Sequence, residues 1–177
     1  MLRQAHPWLL YLLPAAGLAI VSVYWLFHTE GEGTNDIIDA VHLGKPLPIL
    51  LLPSIFIGTV LTHLCGGSAG REGAALQMGG TIGYWSSRLF RLDDRDRRTA
   101  TLCGMAAFFS ALFGTPLAAT MFAMMVISVG TFYLAAFIPC FTASLVAYGI
   151  SILLGVAPTR FAVDIPAIIP LDLLRVG

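Results

Sequence analysis

The chain has 177 residues, 57% of them hydrophobic and 11% charged, with a formal net charge of +0 and a mean hydropathy of +0.83. Ordinary soluble domains carry about 25% charged residues, and a soluble fold of this length cannot hide so much apolar surface. The composition reads as an integral membrane protein, and the neutral balance gives no reason to expect nucleic acid as a partner.

Residues 8–27 form an apolar run of the ~20 residues that a bilayer-spanning helix requires, and no A-x-A-like cleavage site follows it. This predicts a spanning helix, bent or weakened at Pro14. The polar stretch 28–45 holds Glu30, Glu32, Asp36 and Asp39. Within it Gly31-Glu32-Gly33-Thr34-Asn35 is turn chemistry, and Thr34 or Asn35 is placed to cap a short helix through Ile37, Ile38 and Val41. Pro46 and Pro48 open a second apolar segment, 47–65. Proline is tolerated near a first helical turn.

Gly66-Gly67-Ser68-Ala69-Gly70-Arg71-Glu72-Gly73-Ala74 lies between two apolar segments. An ionisable pair at membrane depth is expensive and is usually kept for transport. Glycines let the backbone turn and bring its N–H groups close to a bound ion. A helix is expected over about 74–90, which puts Glu72 just before or at its N-terminus, where free donors and the macrodipole favour an anion. Burial raises a carboxyl pKa, while N–H donors and the dipole lower it. Ionised, Glu72 can fill the donor nest as a tethered anion; protonated, it can swing aside, which couples ion passage to proton transfer. The competing reading is a glutamate salt-bridged to a nearby arginine or exposed at a helix end.

Arg88, Arg91, Arg95, Arg97 and Arg98 cluster with Asp93, Asp94 and Asp96 in one loop, cytoplasmic by the positive-inside rule. The apolar block 99–129 breaks at Gly114-Thr115-Pro116 into halves of about 15 residues, each short for a full span. Broken or re-entrant helices of this kind build ion sites in transporters. Ala100 and Gly104, four apart, suit close helix contact. A last run, 132–156, can span the membrane with Pro139 inside it, and 157–177 reads as a linker. The three cysteines, Cys65, Cys103 and Cys140, form no CxxC pair and read as small buried hydrophobes. His63 reads as a satisfied buried histidine, and Phe108, Phe109, Phe113 and Phe122 read as packing. No metal-ligand cluster, nucleophile with a base or phosphate loop is present, so neither an enzyme nor a cofactor is expected.

Gly67-Ser68-Ala69-Gly70-Arg71-Glu72-Gly73, followed by Gln77-Met78-Gly79-Gly80, resembles the signature of the CLC family of chloride channels and anion/proton antiporters. Gly104 to Phe108 and Phe113 to Ala118 resemble that family's next helix pair. Gly33-Thr34-Asn35-Asp36-Ile37-Ile38-Asp39 through His42, with Thr62-His63-Leu64, resembles the bacterial fluoride/proton antiporter branch. The resemblance implies an all-α membrane fold, a first inverted repeat (residues 1–156, without its opening helices) that is incomplete. It further implies a homodimer or a missing second-half chain, and a small anion (fluoride or chloride) exchanged for protons. It assigns gating and proton coupling to Glu72, and anion binding to Gly33, Thr34, Asn35, Gly70, Arg71, Gly73 and Ala74.

Three departures accompany it. Ala74 stands where the family usually has proline, or threonine in the fluoride branch. Glu32 stands near a serine that faces the ion in chloride-selective members, and a carboxylate there must point to water or alter the site. Ala123-Met124-Met125-Val126 lacks the inner proton glutamate, as fluoride-type members also do. A passive channel gated by Glu72 and a remnant without autonomous transport are the alternatives to an antiporter.

Overall fold

The computed structural model describes residues 11–67, 70–127, 134–156 and 158. Among them lie seven α-helices and no strand: α1 (Leu13–Leu26), α2 (Thr34–His42), α3 (Leu51–Leu64), α4 (Glu72–Leu89), α5 (Asp94–Phe113), α6 (Pro116–Ile127) and α7 (Phe137–Leu153), the last preceded by the 3-10 turn Leu134–Ala136. The all-α expectation holds. The linker expected over 157–177 falls outside the described residues apart from Pro158, as do 1–10 and 128–133 at the edges of three apolar runs.

Several boundaries differ from expectation for local reasons. Pro14 does not bend α1: it occupies the first turn, where its missing N–H has no partner to lose. The arginine cluster is not one loop. Asp93 caps α5 by accepting from the Asp96 amide at 2.8 Å, so Arg95, Arg97 and Arg98 are already helical. Arg97 bonds Asp94 at 2.7 Å and lies over the Tyr84 ring at 5.9 Å. The expected break after Phe113 is present, with Gly114 taking φ 70° as the left-handed cap that ends α5. Among the described residues one element, Leu134–Leu153, is long and apolar enough to cross a membrane; α1, α3 and α6 are shorter apolar helices.

The molecule is assembled on α4 and α5, which make the most extensive helix pairing, while α5 also touches α2, α6 and α7. Their contact is backbone on backbone. A Cβ on Gly104 would strike the Gly79 carbonyl and sit 3.0 Å from the Gly83 amide nitrogen. A Cβ on Gly83 would strike the Ala100 carbonyl in turn. The small pair read at Ala100 and Gly104 is therefore the crossing point, as tight helix association requires.

Farther along, buried hydroxyls tie α5, α6 and α7. Ser110 Oγ donates to the Ser144 carbonyl at 2.9 Å, and Thr120 Oγ1 lies 3.1 Å from Ser144 Oγ. The phenylalanines pack: Phe109 stacks on Phe122 at 4.4 Å and meets Phe113 at 4.7 Å. On the other side, α1 and α3 pair through Tyr24 and Ile20 against Gly58 and through Thr29 and Ser54, whose buried hydroxyls are 2.9 Å apart.

Gly104→Val is expected to destabilise the chain by about 3 kcal/mol, because the obstructing atoms are backbone and cannot rotate away. Gly149→Ala, with open space at its Cβ, should be neutral or slightly stabilising. Thermal unfolding of the two variants in detergent checks both.

Candidate anion site

The glycines around Glu72 divide into separate tasks. Gly66 takes φ 80° just after α3, donating to the His63 carbonyl at 3.1 Å while Gly67 donates to Thr62 at 2.8 Å. This is a Schellman cap, which closes α3. Gly70 leaves room for a side chain from farther along: a Cβ there would lie 2.5 Å from Glu72 Oε2. The Glu72 carboxylate thus folds back over the chain entering its own helix. Glu72 is the first residue of α4 and is exposed. The first helical bond runs from the Ala75 amide to the Arg71 carbonyl at 2.9 Å, so the amides of Glu72, Gly73 and Ala74 precede the ladder, where a helix has donors to spare.

The N-terminus of α2 is brought to the same place. Gln77, one turn past Gly73, donates its side-chain amide to Thr34 Oγ1 at 3.0 Å, and a Cβ on Gly73 would sit 3.7 Å from that oxygen. Deeper in the contact, a Cβ on Gly80 would lie 2.5 Å from Ile37 Cγ2, so the missing side chain lets α2 seat on α4. Gly33, Thr34, Gly70, Glu72, Gly73 and Ala74 therefore share one neighbourhood. Asn35 is exposed on the first turn of α2. Arg71, exposed just ahead of α4, instead lines an open recess of about 300 Å³ with Thr59, Val60, His63 and Leu64 of α3. His63 is satisfied by the Thr59 carbonyl 2.7 Å from Nδ1, but it is half-buried rather than the buried histidine expected.

Neither Thr34 nor Asn35 caps α2. The cap position is Gly33, whose N–H donates to Asp36 Oδ2 at 2.6 Å while the Asp36 amide donates to the Gly33 carbonyl at 3.1 Å. Asp36 closes the first turn from within the helix, leaving the Thr34 hydroxyl for Gln77. The amides of Thr34 and Asn35 remain ahead of the α2 ladder, and the Thr34 side chain lies beside Gly73 and Gln77 of α4. The first turns of two helices, each N-terminus equivalent to roughly half a positive charge, are thus in contact through Thr34.

Lys45, the only lysine in the chain, had no role in the sequence reading. It donates to Asp36 Oδ1 and lies 3.6 Å from Glu32 Oε1. Glu32 consequently does not turn into bulk water: it is largely covered, paired on one oxygen with Lys45 and without a hydrogen-bond partner on the other among the described residues. Gln77 was visible only as a letter of the motif Gln77-Met78-Gly79-Gly80. Lys45 gave no periodic signal, because it returns to α2 through the turn at Gly44 (φ 72°).

A family model described as voltage-gated chloride channel matches residues 15–175. The chain belongs to the CLC family. It is 39% identical over 98% of its length to a chloride/fluoride channel protein of Pseudomonas syringae pv. tomato. It is 35% identical over 65% of its length to an H(+)/Cl(-) exchange transporter, ClcA, of Vibrio vulnificus. It superposes on the crystal structure of a CLC-type fluoride/proton antiporter with a TM-score of 0.82 and 35% identity over 98% of its length. The chain spans 38% and 26% of those two relatives and 45% of that antiporter chain. CLC proteins are membrane proteins, in keeping with the composition.

The hydrogen bond from Lys45, reinforced by the Gly33 amide, holds the Asp36 carboxyl below its ordinary value, and Asp36 in turn raises Lys45. Both groups lie in the polar stretch between apolar segments. A lowered carboxyl pKa contributes stability above the ordinary aspartate value of about 4 and loses it as pH falls through the depressed folded value. A raised lysine pKa contributes below about 10.4 and loses it as pH climbs through the raised value. Lys45→Met should therefore unfold at a lower temperature than the parent between those limits, with the gap closing in strong acid. Thermal scans across pH measure it.

Proposed function

We propose that this chain is part of a multi-pass halide/proton antiporter of the bacterial inner membrane, with fluoride as the ion. The anion rests where the N-termini of α2 and α4 meet, held by backbone amides of Thr34, Asn35, Gly73 and Ala74 and by the Thr34 hydroxyl. Gly33 and Gly70 shape the approach, and Arg71 adds positive potential at its edge. The observation that supports this most is the seating of Thr34 beside Gly73 through Gln77, which aims two macrodipoles at one volume.

Glu72 is the gate. Ionised, its carboxylate competes with the free anion for the α4 amides; protonated, it has no such claim and swings away. An arriving anion and a departing proton therefore exchange places. Gly70 makes this motion sterically open, since the folded-back carboxylate occupies space that any side chain at position 70 would take.

Fluoride is favoured by the names of the antiporter neighbour and of the Pseudomonas relative. The remaining wall of the ion path comes, in this proposal, from further polypeptide of the same protein or a partner chain, assembled as a homodimer. The arginine-rich end of α5 faces the cytoplasm. A passive channel is the second reading, favoured by the word channel in the Pseudomonas relative's name; a remnant inactive by itself is the third.

Fluoride efflux from proteoliposomes, with internal pH recorded, tests the proposal. The antiporter reading predicts proton movement opposite to fluoride, reduced at least tenfold in Glu72→Gln. Efflux without proton movement would establish the channel, and proton coupling unchanged in Glu72→Gln would remove Glu72 from the mechanism. Folded, inserted protein without efflux would support the remnant reading or a need for a partner chain.

A further inference from the structure

Outside the anion site, one pair of reactive side chains is brought together that the spacing of the cysteines did not suggest. Cys103, in the middle of α5, and Cys140, in the first turn of α7, place their sulfurs 3.6 Å apart. Both are free thiols. A disulfide bond is about 2.05 Å long, so the sulfurs have only ~1.5 Å left to close. Cys140 is fully buried, while Cys103 is half-buried and opens onto a groove of about 490 Å³ between α4, α5 and α7. Small residues, among them Gly83, Ala100, Gly104 and Ala107, keep that groove open at Cys103. The third cysteine, Cys65, caps the end of α3.

We propose that Cys103 and Cys140 are an oxidisable dithiol that closes to a disulfide between α5 and α7 when a peroxide reaches the groove. The Cys103 sulfur attacks one peroxide oxygen, an S–O bond forms as the O–O bond breaks, and the departing hydroxide takes a proton to become water. The Cys140 sulfur then attacks the sulfenic sulfur of Cys103. The S–S bond forms, the S–O bond breaks, and a second water leaves with the Cys140 proton. Two thiols are oxidised by two electrons and one peroxide is reduced to two waters. The bridge closes a 37-residue separation that contains all of α6, so it staples the middle of α5 to the first turn of α7. A thiol reductant reverses it.

The test uses the wild-type chain in membranes, exposed to hydrogen peroxide, then alkylated, denatured and digested for mass spectrometry. The proposal predicts that two of the three thiols are lost, that the linked peptides carry Cys103 and Cys140, and that Cys65 remains alkylated. It further predicts that the oxidised protein unfolds at least about 5 °C higher than the reduced one, and that Cys103→Ser and Cys140→Ser abolish that difference. Three alkylated thiols after peroxide, over-oxidation of Cys103 without a bridge, or a bridge through Cys65 would each overturn it. Because none of these readouts involves transport, the result stands whatever the proteoliposome experiment returns.

Discussion

One helix face without side chains is the constraint on which the arrangement depends. Along α4, Gly79 and Gly83 admit the backbone of α5, while Gly80 admits Ile37 and Gly73 lies beside Thr34. These are two adjacent stripes on a single helix. One fixes the most extensive helix pair in the molecule, and the other seats the short α2. Because α4 also begins with Glu72, packing and the candidate site are set by the same element. A nine-residue helix such as α2 is marginal in isolation; its buried Ile37, Ala40 and Val41 hold it, and where they are buried determines where its N-terminus points.

Electrostatics adds a second condition. Glu32 and Asp36 bring two negative charges to the start of α2, which would be unfavourable beside the proposed anion site. Asp36 is tied into the Gly33 turn and to Lys45, and Glu32 shares the same ammonium. Lys45 thereby offsets part of the negative charge and anchors the connection that returns from α2. Glu32 is paired with Lys45 at 3.6 Å, and in the proposed site this end relies on backbone amides and the Thr34 hydroxyl.

Much of this was legible from the residues. The Gly114-Thr115-Pro116 break located the junction of α5 and α6 because helix-ending chemistry is local, and the signature around Glu72 pointed to the start of α4 for the same reason. The start of α5 at Asp94, by contrast, reads as loop. Ala100 and Gly104 announced a close crossing, although not that Gly79 and Gly83 were their partners. What escaped depends on contacts distant in sequence. The closing of the first turn of α2 by Asp36 rather than by Thr34 or Asn35 goes with Lys45 holding the Asp36 carboxylate and Gln77 engaging the Thr34 hydroxyl. The separate tasks of Gly66 and Gly67 required knowing that α3 ends at Leu64. The Cys103–Cys140 pair follows from the way α7 packs back on α5, which no spacing of three scattered cysteines encodes.

The central claim is that amides from two helices, remote in sequence, form one anion site. The direct measurement is an NMR titration of the 15N-labelled chain with fluoride, and separately with chloride, following the amides of Thr34, Asn35, Gly73 and Ala74. The account predicts that the amides of both helices shift together and saturate at one common concentration. Shifts confined to one helix, or none in a folded protein, would contradict it.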